Sequence, residues 1–249
     1  MGLSGESVLV TGAGRGLGLA TARRLAEDGA RVWLADVRTD WLATATAKLA
    51  AEGFDVRSAA VDVADEESVT ALAALVTAEG PLYGLVNNAA RADGVGGKAV
   101  HEITPAEWDG LMAVNLRGPW LVARAVLPSM IAAGRGRIVN IGSDAALYGS
   151  PHLAHYIAAK GGVSALGRAM ARDLGSSGIT VNTVSPGLTG TEAAAQIPEH
   201  RHELYRAHRA LARDQVPADV VGVIAFLMGP EAGYVTGQQV VVNGGFVFN

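Results

Sequence analysis

Tyr156 and Lys160 stand four positions apart in Tyr156-Ile157-Ala158-Ala159-Lys160, within a stretch of helical periodicity over 155–174. Residues at that spacing project from one helical face. A phenol ordinarily titrates near 10, and an ammonium held beside it favours the phenolate. The pair therefore has the make-up of a general acid–base unit. Spacing alone decides little, because a Tyr and a Lys four apart usually form only a helix surface. Ser143, thirteen residues before Tyr156, ends a predicted strand over 137–141. Strand C-termini line the ligand crevice of open α/β sheets, so a hydroxyl there is placed to hold a substrate oxygen. Asn115 interrupts an apolar helical region over 105–133, where a buried amide needs partners. Asn87-Asn88-Ala89-Ala90 follows another strand at the same edge.

The elements that must position these groups alternate. Short apolar runs at 7–11, 31–36, 56–61, 84–88, 137–141, 180–184 and 238–242 read as strands. Amphipathic stretches at 16–28, 40–52, 66–78, 105–133, 155–174 and 217–228 read as helices between them. Alternating strands and helices predict right-handed βαβ units and a parallel sheet covered on both faces. We expect one α/β doubly wound Rossmann domain over 1–249, with a seven-stranded sheet. A polar, His- and Arg-rich segment around 188–215 reads as a mobile substrate flap.

Thr11-Gly12-Ala13-Gly14-Arg15-Gly16-Leu17-Gly18 follows the first strand and opens the first helix. Glycines there permit a tight turn and let the backbone approach a pyrophosphate, which the helix N-terminus favours. Leu17 stands where GxGxxG needs its third glycine, so the spacing is TGxxxGxG. Asp36 ends the second strand, with Val37 beside it. A carboxylate there suits the two adenosine-ribose hydroxyls and repels a 2′-phosphate, which points to NAD over NADP. Arg15 and Arg38 argue the other way, since either guanidinium suits a 2′-phosphate. Gly94-Val95-Gly96-Gly97-Lys98 departs from a P-loop, because Ala92 and Ala99 stand at required positions.

Composition bounds the remaining classes. The chain has no cysteine, a net charge of −4, 49% hydrophobic and 18% charged residues. Thiolate metal sites and disulfides are excluded, and no basic block exists to track nucleic acid. The longest apolar runs are about half a membrane span. The N-terminus lacks a signal-peptide layout, and Met1-Gly2 is followed at position 6 by Glu where myristoylation needs Ser or Thr. The expectation is a cytoplasmic protein with no membrane partner. Only Lys48, Lys98 and Lys160 are lysines among 20 basic residues, which makes a lysine at 160 suggestive.

In this order and at these separations, the motifs resemble the short-chain dehydrogenase/reductase family. The resemblance covers essentially the whole chain. It rests on 11–18, Asp62-Val63, Asn87-Asn88-Ala89, Asn115, Ser143, Tyr156 with Lys160, Pro186-Gly187 through Thr191, and Val242-Asn243-Gly244-Gly245. It implies that Tyr156 is the general acid or base, that Ser143 holds the substrate oxygen, and that Lys160 bonds the nicotinamide ribose and lowers the tyrosine pKa. It implies that Asn115 anchors a water in a proton relay through Lys160. Asp62 and Val63 would meet adenine, and Asn88 would lie along the adenosine ribose. Thr189 by backbone and Thr191 by hydroxyl would fix the carboxamide. Ala89, Pro186 and Gly187 complete the cofactor set, and no metal is required. Ala90, Thr189 and Asp144 depart from the usual family residues.

The resulting expectation is hydride transfer between NAD(H) and a small secondary alcohol or ketone. Alternatives are an NADP-dependent 3-oxoacyl reductase, a non-catalytic dinucleotide-binding protein, and isomerisation or dehydration with a tightly held cofactor. Substrate would meet Ser143, Ala145, Tyr156 and Gly187, among 144–148, 91–97 and the flap. Arg91, Asp93, His152 and His155 are polar candidates nearby, and a histidine in such a loop is usually a surface residue. His200, His202 and His208 show no metal-ligand spacing, and their segment reads as a solvated helix face. The apolar tail 245–249 reads as packing within its own subunit, whereas the resemblance implies a homotetramer, or a homodimer, with that tail near a neighbour. Helices 118–133 and 155–174 would form another subunit face.

Overall fold

The computed structural model describes residues 2–248; Met1 and Asn249, the ends of the expected domain, lie outside them. Seven strands form one parallel sheet. They are β1 (Ser7–Thr11), β2 (Arg31–Asp36), β3 (Val56–Ala60), β4 (Gly84–Asn87), β5 (Gly136–Ile141), β6 (Ile179–Pro186) and β7 (Gln239–Val242), in the order β3-β2-β1-β4-β5-β6-β7. The order reverses between β1 and β4, and that switch point opens a crevice at the strand C-termini. The register brings Thr11 beside Ala35, Asn87 beside Asn140, and Pro186 beside Val242.

Nine α-helices connect the strands among the described residues. They are α1 (Gly16–Glu27), α2 (Thr39–Ala51), α3 (Glu66–Thr77), α4 (Pro105–Met112), α5 (Gly118–Ala133), α6 (Ala145–Tyr148), α7 (Ala154–Leu174), α8 (Glu199–His208) and α9 (Ala218–Met228). Local signals set their ends. Asp65 caps α3 by accepting from Glu67 N and Ser68 N, and Thr104 with Glu107 forms a capping box ahead of Pro105 in α4. Gly134 stops α5 at a left-handed φ of 65°.

Two apolar layers result, one on each face of the sheet. Leu25, Leu42, Leu49 and Ile224 fill the face under α1, α2 and α9. Leu72, Val126, Met130 and Leu174 fill the face under α3, α5 and α7. β6 is buried along its whole length, as strands covered on both faces must be. β3 lies at the sheet edge and exposes Arg57 and Ser58, so near-continuous burial fails there.

Three expectations change. β6 runs on to Pro186, which carries its end to the crevice. The short helix α6, immediately after Ser143, is absent from the periodicity because four residues carry no usable period. The segment around 188–215 holds α8 and is tied down rather than loose. Among its anchors, Tyr205 and Arg209 are buried and Gly190 N donates to Gln215 O. Among the described residues no helix is long and apolar enough to cross a membrane.

Candidate active site

The glycine turn is held in place before any ligand is considered. Gly12 (φ 64°) and Gly16 (φ 57°) adopt left-handed backbone. A Cβ on Gly18 would overlap the Gly12 carbonyl oxygen, so that position must stay bare. Thr11 Oγ accepts from Asn88 N and Ala89 N, both at 3.1 Å, and donates to Val86 O. Asn88 Nδ2 donates to the carbonyls of Thr11 (2.9 Å) and Gly12 (3.0 Å). The Asn88 amide thus ties β4 to the turn. Leu17 packs against the core beneath α1.

Asp36 supports the same turn. Its carboxylate is 8% exposed and accepts from Gly14 N at 2.9 Å and Arg38 N at 3.0 Å. Both oxygens keep further lone pairs for a ribose. Trp41, which no sequence motif singles out, stacks with two guanidiniums: Arg15 at 4.0 Å and Arg38 at 4.2 Å from its ring centroid. Arg15 also pairs with Asp93, and Arg38 with Asp40 at 2.8 Å. Val37 is largely exposed beside them. Asp62 is exposed, with Oδ1 accepting from Ala64 N at 2.9 Å, while Val63 is buried under the start of α5.

The opposite wall comes from β5 to β7. Gly187 N donates to Val242 O at 2.9 Å, and a Cβ on Gly187 would crowd Asn243, Gln215 and Asp144. Thr189 forms a bridge with Gln215, and its Oγ donates to Gly187 O at 3.0 Å. Thr191 lies over the glycine turn, within 3.5 Å of where a Gly16 Cβ would stand. The gap between the glycine turn and Pro186 to Thr191 therefore has a dinucleotide's requirements: bare backbone, a helix N-terminus and a carboxylate at β2.

The acid–base groups meet at the floor of this crevice. Ser143 Oγ accepts from Ala145 N at 3.2 Å, and the Tyr156 side chain lies close to it. Ala145 is itself buried. Lys160 is 4% exposed, and its Nζ donates to Ile141 O at 2.7 Å. That bond leaves two ammonium hydrogens for ribose hydroxyls, a fit to the expected cofactor. Lys160 Nζ stands 6.0 Å from the Tyr156 ring centroid. Burial pulls Lys160 down to about 8. Burial also pushes the Tyr156 phenol up, opposed by Ser143 and reinforced by Asp144 and Tyr148. In the free protein burial therefore sets the direction for the tyrosine, because desolvation disfavours phenolate.

Asn115 is fully buried in a π-helical turn, Ala113–Arg117, between α4 and α5. Such turns recur at functional sites. The Asn115 Oδ1 accepts from Arg91 N at 2.7 Å, and its Nδ2 donates to Arg91 O at 3.0 Å. The side chain thus clamps the loop after β4. Pro119 has no N–H, so the Asn115 carbonyl lacks the i+4 donor of an α-helix.

Other expectations about the substrate end change. His155 is 7% exposed at the start of α7, not a surface residue, because α4 and the loop after β4 cover it. His152 is exposed, at a φ of 60°. One face of α8, with His200, Glu203, Arg206 and His208, is solvated as expected, and the other buries Tyr205. Arg201 reaches Tyr148 Oη at 2.8 Å and Ser150 Oγ at 2.6 Å, while His200 and His208 are exposed. Phe246 of the tail stacks on Tyr205 at 4.1 Å. Asn249 lies outside the described residues.

Comparison with known proteins agrees with this geometry. The family model described as Enoyl-(Acyl carrier protein) reductase matches residues 12–247. The 2-(S)-hydroxypropyl-CoM dehydrogenase 3 of Xanthobacter autotrophicus is 36% identical, covering 98% of this chain and 97% of that protein. A 3-oxoacyl-[acyl-carrier-protein] reductase of Vibrio cholerae is 35% identical over 98% of each chain. A short-chain type dehydrogenase/reductase from Mycobacterium ulcerans superposes with a TM-score of 0.94 at 30% identity, covering 99% of this chain and 91% of that one. The chain belongs to the short-chain dehydrogenase/reductase family. It is an oxidoreductase on a fold that binds a nicotinamide dinucleotide. An actinorhodin polyketide ketoreductase variant solved with NADPH also superposes, with a TM-score of 0.91, 36% identity and 97% coverage of both chains.

Proposed function

We propose that this protein transfers a hydride between NAD(H) and a small secondary alcohol or ketone, with Tyr156 as acid or base. The observation that carries the reading is the half-buried Tyr156, close to Ser143 and one helical turn from the buried Lys160. When bound, the nicotinamide supplies or accepts the hydride. Ser143, oriented by Ala145 N, donates to the substrate oxygen. Tyr156 gives that oxygen its proton in reduction and takes it in oxidation. Lys160 holds the ribose, and its charge favours phenolate. The Asn115 carbonyl holds the water that passes the proton to solvent. Asp36 favours NAD, because a 2′-phosphate beside a buried carboxylate is costly.

A second reading is an NADP-dependent 3-oxoacyl reductase. It is favoured by Arg15 and Arg38, stacked on Trp41 close to Asp36, and by the relatives that carry those names. Titrating the protein with NADH and NADPH while following nicotinamide fluorescence separates the two. Tighter NADPH binding overturns the preference for NAD. A panel of secondary alcohols with NAD, read by absorbance, tests the reaction itself; no reduction across the panel counts against it. The reading includes a cytoplasmic location and a homotetramer or homodimer; half-exposed Trp120 and Ile131 on α5 support self-association. Light scattering at the native concentration checks the assembly.

A further inference from the structure

Asp144 is the charged group that the acid–base reading leaves unused, and it follows Ser143 directly. It is 1% exposed. Its Oδ1 accepts from Tyr205 Oη of α8 at 2.8 Å, and its Oδ2 accepts from Asn243 Nδ2, just past β7, at 3.3 Å. Its own N–H donates to Pro186 O at 3.0 Å. One carboxylate therefore joins the catalytic segment, the segment over the crevice, and the tail.

The α8 side of this junction is built for closure. Tyr205 Oη lies 3.1 Å from Tyr148 Oη, and Arg201 bonds that same tyrosine. The Tyr205 ring stacks on Phe246 at an interplanar angle of 21°, and the Arg209 guanidinium lies 4.9 Å from its centroid. Arg209 also donates to Leu188 O at 2.5 Å, which ties down the first residues of the segment.

We propose that Asp144 is a positioning residue that latches residues 188–215, as a lid, onto the catalytic segment through Tyr205. The latch is the pair of hydrogen bonds that the two carboxylate oxygens accept. A carboxylate accepts from a phenol more strongly than a neutral carboxyl does. The groups facing it are Tyr205 and Arg209 from the lid, Tyr156 from α7, Asn243 after β7 and the Ala145 N–H of its own segment, with Tyr148 reaching it through Tyr205. Burial pushes Asp144 up to about 6, against the bonds from Tyr205 and Asn243 and the charge of Arg209. Because burial favours the protonated form, proton uptake as pH falls through that value favours the buried, closed state rather than opening it. A second consequence rests on the proposed function: the charge beside Tyr156 opposes phenolate.

Amide hydrogen exchange of the full chain without substrate tests the latch independently of turnover. Tyr205→Phe keeps the ring stack and removes the hydroxyl; Asp144→Asn keeps the shape and removes the charge and one acceptor oxygen. Either is expected to raise exchange across 199–208 about tenfold near neutral pH, with 154–174 unchanged. The unsubstituted protein is expected to keep that protection, corrected for intrinsic rates, from pH about 7 down to about 5, since protonation favours the buried state. Equal protection of 199–208 in all three proteins overturns the latch. In alcohol oxidation, Asp144→Asn is expected to move the acid limb of kcat/KM to lower pH and to raise KM about tenfold. An unmoved profile overturns the charge effect. Absence of turnover in the unsubstituted protein, with the exchange result intact, removes the proposed reaction and leaves the latch standing.

Discussion

The β1–β3 half of the sheet and the β5–β7 half treat their polar groups in opposite ways. Around the glycine turn, Thr11, Gly14, Asp36 and Asn88 all meet short-range partners, mostly backbone. The groups with perturbed titration in that half, such as Arg23 with Glu52 and Arg31 with Asp55, are ion pairs open to water, which contribute little. In the other half, Asp144, Lys160, Tyr156 and Tyr205 are all desolvated, and all shift toward their neutral forms. Among the described residues, buried side-chain atoms without a partner also concentrate late in the chain: Thr21 Oγ is the one before β4. One half is a settled cradle. The other holds unfavourable charge in place, and displaced titration of that kind marks a site of chemistry.

The contrast predicts two opposite mutational signatures. Tyr156→Phe should lower turnover about a thousandfold, within the range for losing a general acid–base group. Its thermal midpoint and its dinucleotide binding should stay near those of the unsubstituted protein, since only one hydroxyl is lost. Steady-state rates with a fluorescence titration check both, and turnover retained within about threefold would sink the assignment. Gly18→Ala should do the reverse at the fold level. Its Cβ overlaps the Gly12 carbonyl and presses on Asn88. We expect a loss of about 2–3 kcal/mol in urea unfolding and weakened dinucleotide binding. An alanine tolerated there would mean that the cradle is softer than its hydrogen bonds imply.

The two halves are also unequally legible in the sequence. The cradle is local: a glycine turn, a strand end and a helix start lie within 7–36, and period and spacing expose them. Element order and the parallel sheet follow from the same signals. Ser143, Tyr156 and Lys160 are legible because strand ends and helix faces bring them to one edge. The latch is not. Asp144 stands out only as a departure, and its partners Tyr205 and Asn243 lie 61 and 99 residues away. No periodicity encodes such a pairing. His155 and Arg209 escape the sequence for a related reason, because their burial depends on segments that pack over them from elsewhere in the chain.

A third prediction separates the halves by pH. Lys160 has its folded value depressed, from 10.5 to about 8. Its stabilising contribution is present above the unfolded value and is lost as pH falls through about 8. Asp144 is raised, from 3.8 to about 6, so its contribution is present below the unfolded value and is lost as pH rises through about 6. Near neutrality both charges weigh against the fold, each by about 3 kcal/mol on linkage. Lys160→Met should therefore gain up to about 3 kcal/mol at pH about 7 and much less at pH about 10. Urea midpoints at the two pH values measure it. A gain of equal size at both would show that packing, not charge, is responsible.

The smallest expected effect tests the cradle where its specificity is read. Asp36→Asn keeps an oxygen to accept one of the two backbone bonds from Gly14 and Arg38, and it removes the charge. Losing the other acceptor should cost about 1 kcal/mol of stability. The larger change is in discrimination. With the carboxylate gone, Arg15 and Arg38 on Trp41 become the dominant charges beside the adenosine ribose. A 2′-phosphate then meets two guanidiniums, each paired with a carboxylate of its own, and no anion at the end of β2 itself. The ratio of NADPH to NADH affinity should rise about tenfold, as expected where attraction to a guanidinium takes the place of repulsion by a carboxylate. Parallel fluorescence titrations read it. An unchanged ratio would mean that the pairs with Asp93 and Asp40 hold both arginines away from the ribose. In that case Arg38→Ala should also leave NADPH binding unaltered, and the choice of cofactor would belong to the turn's backbone rather than to its charges.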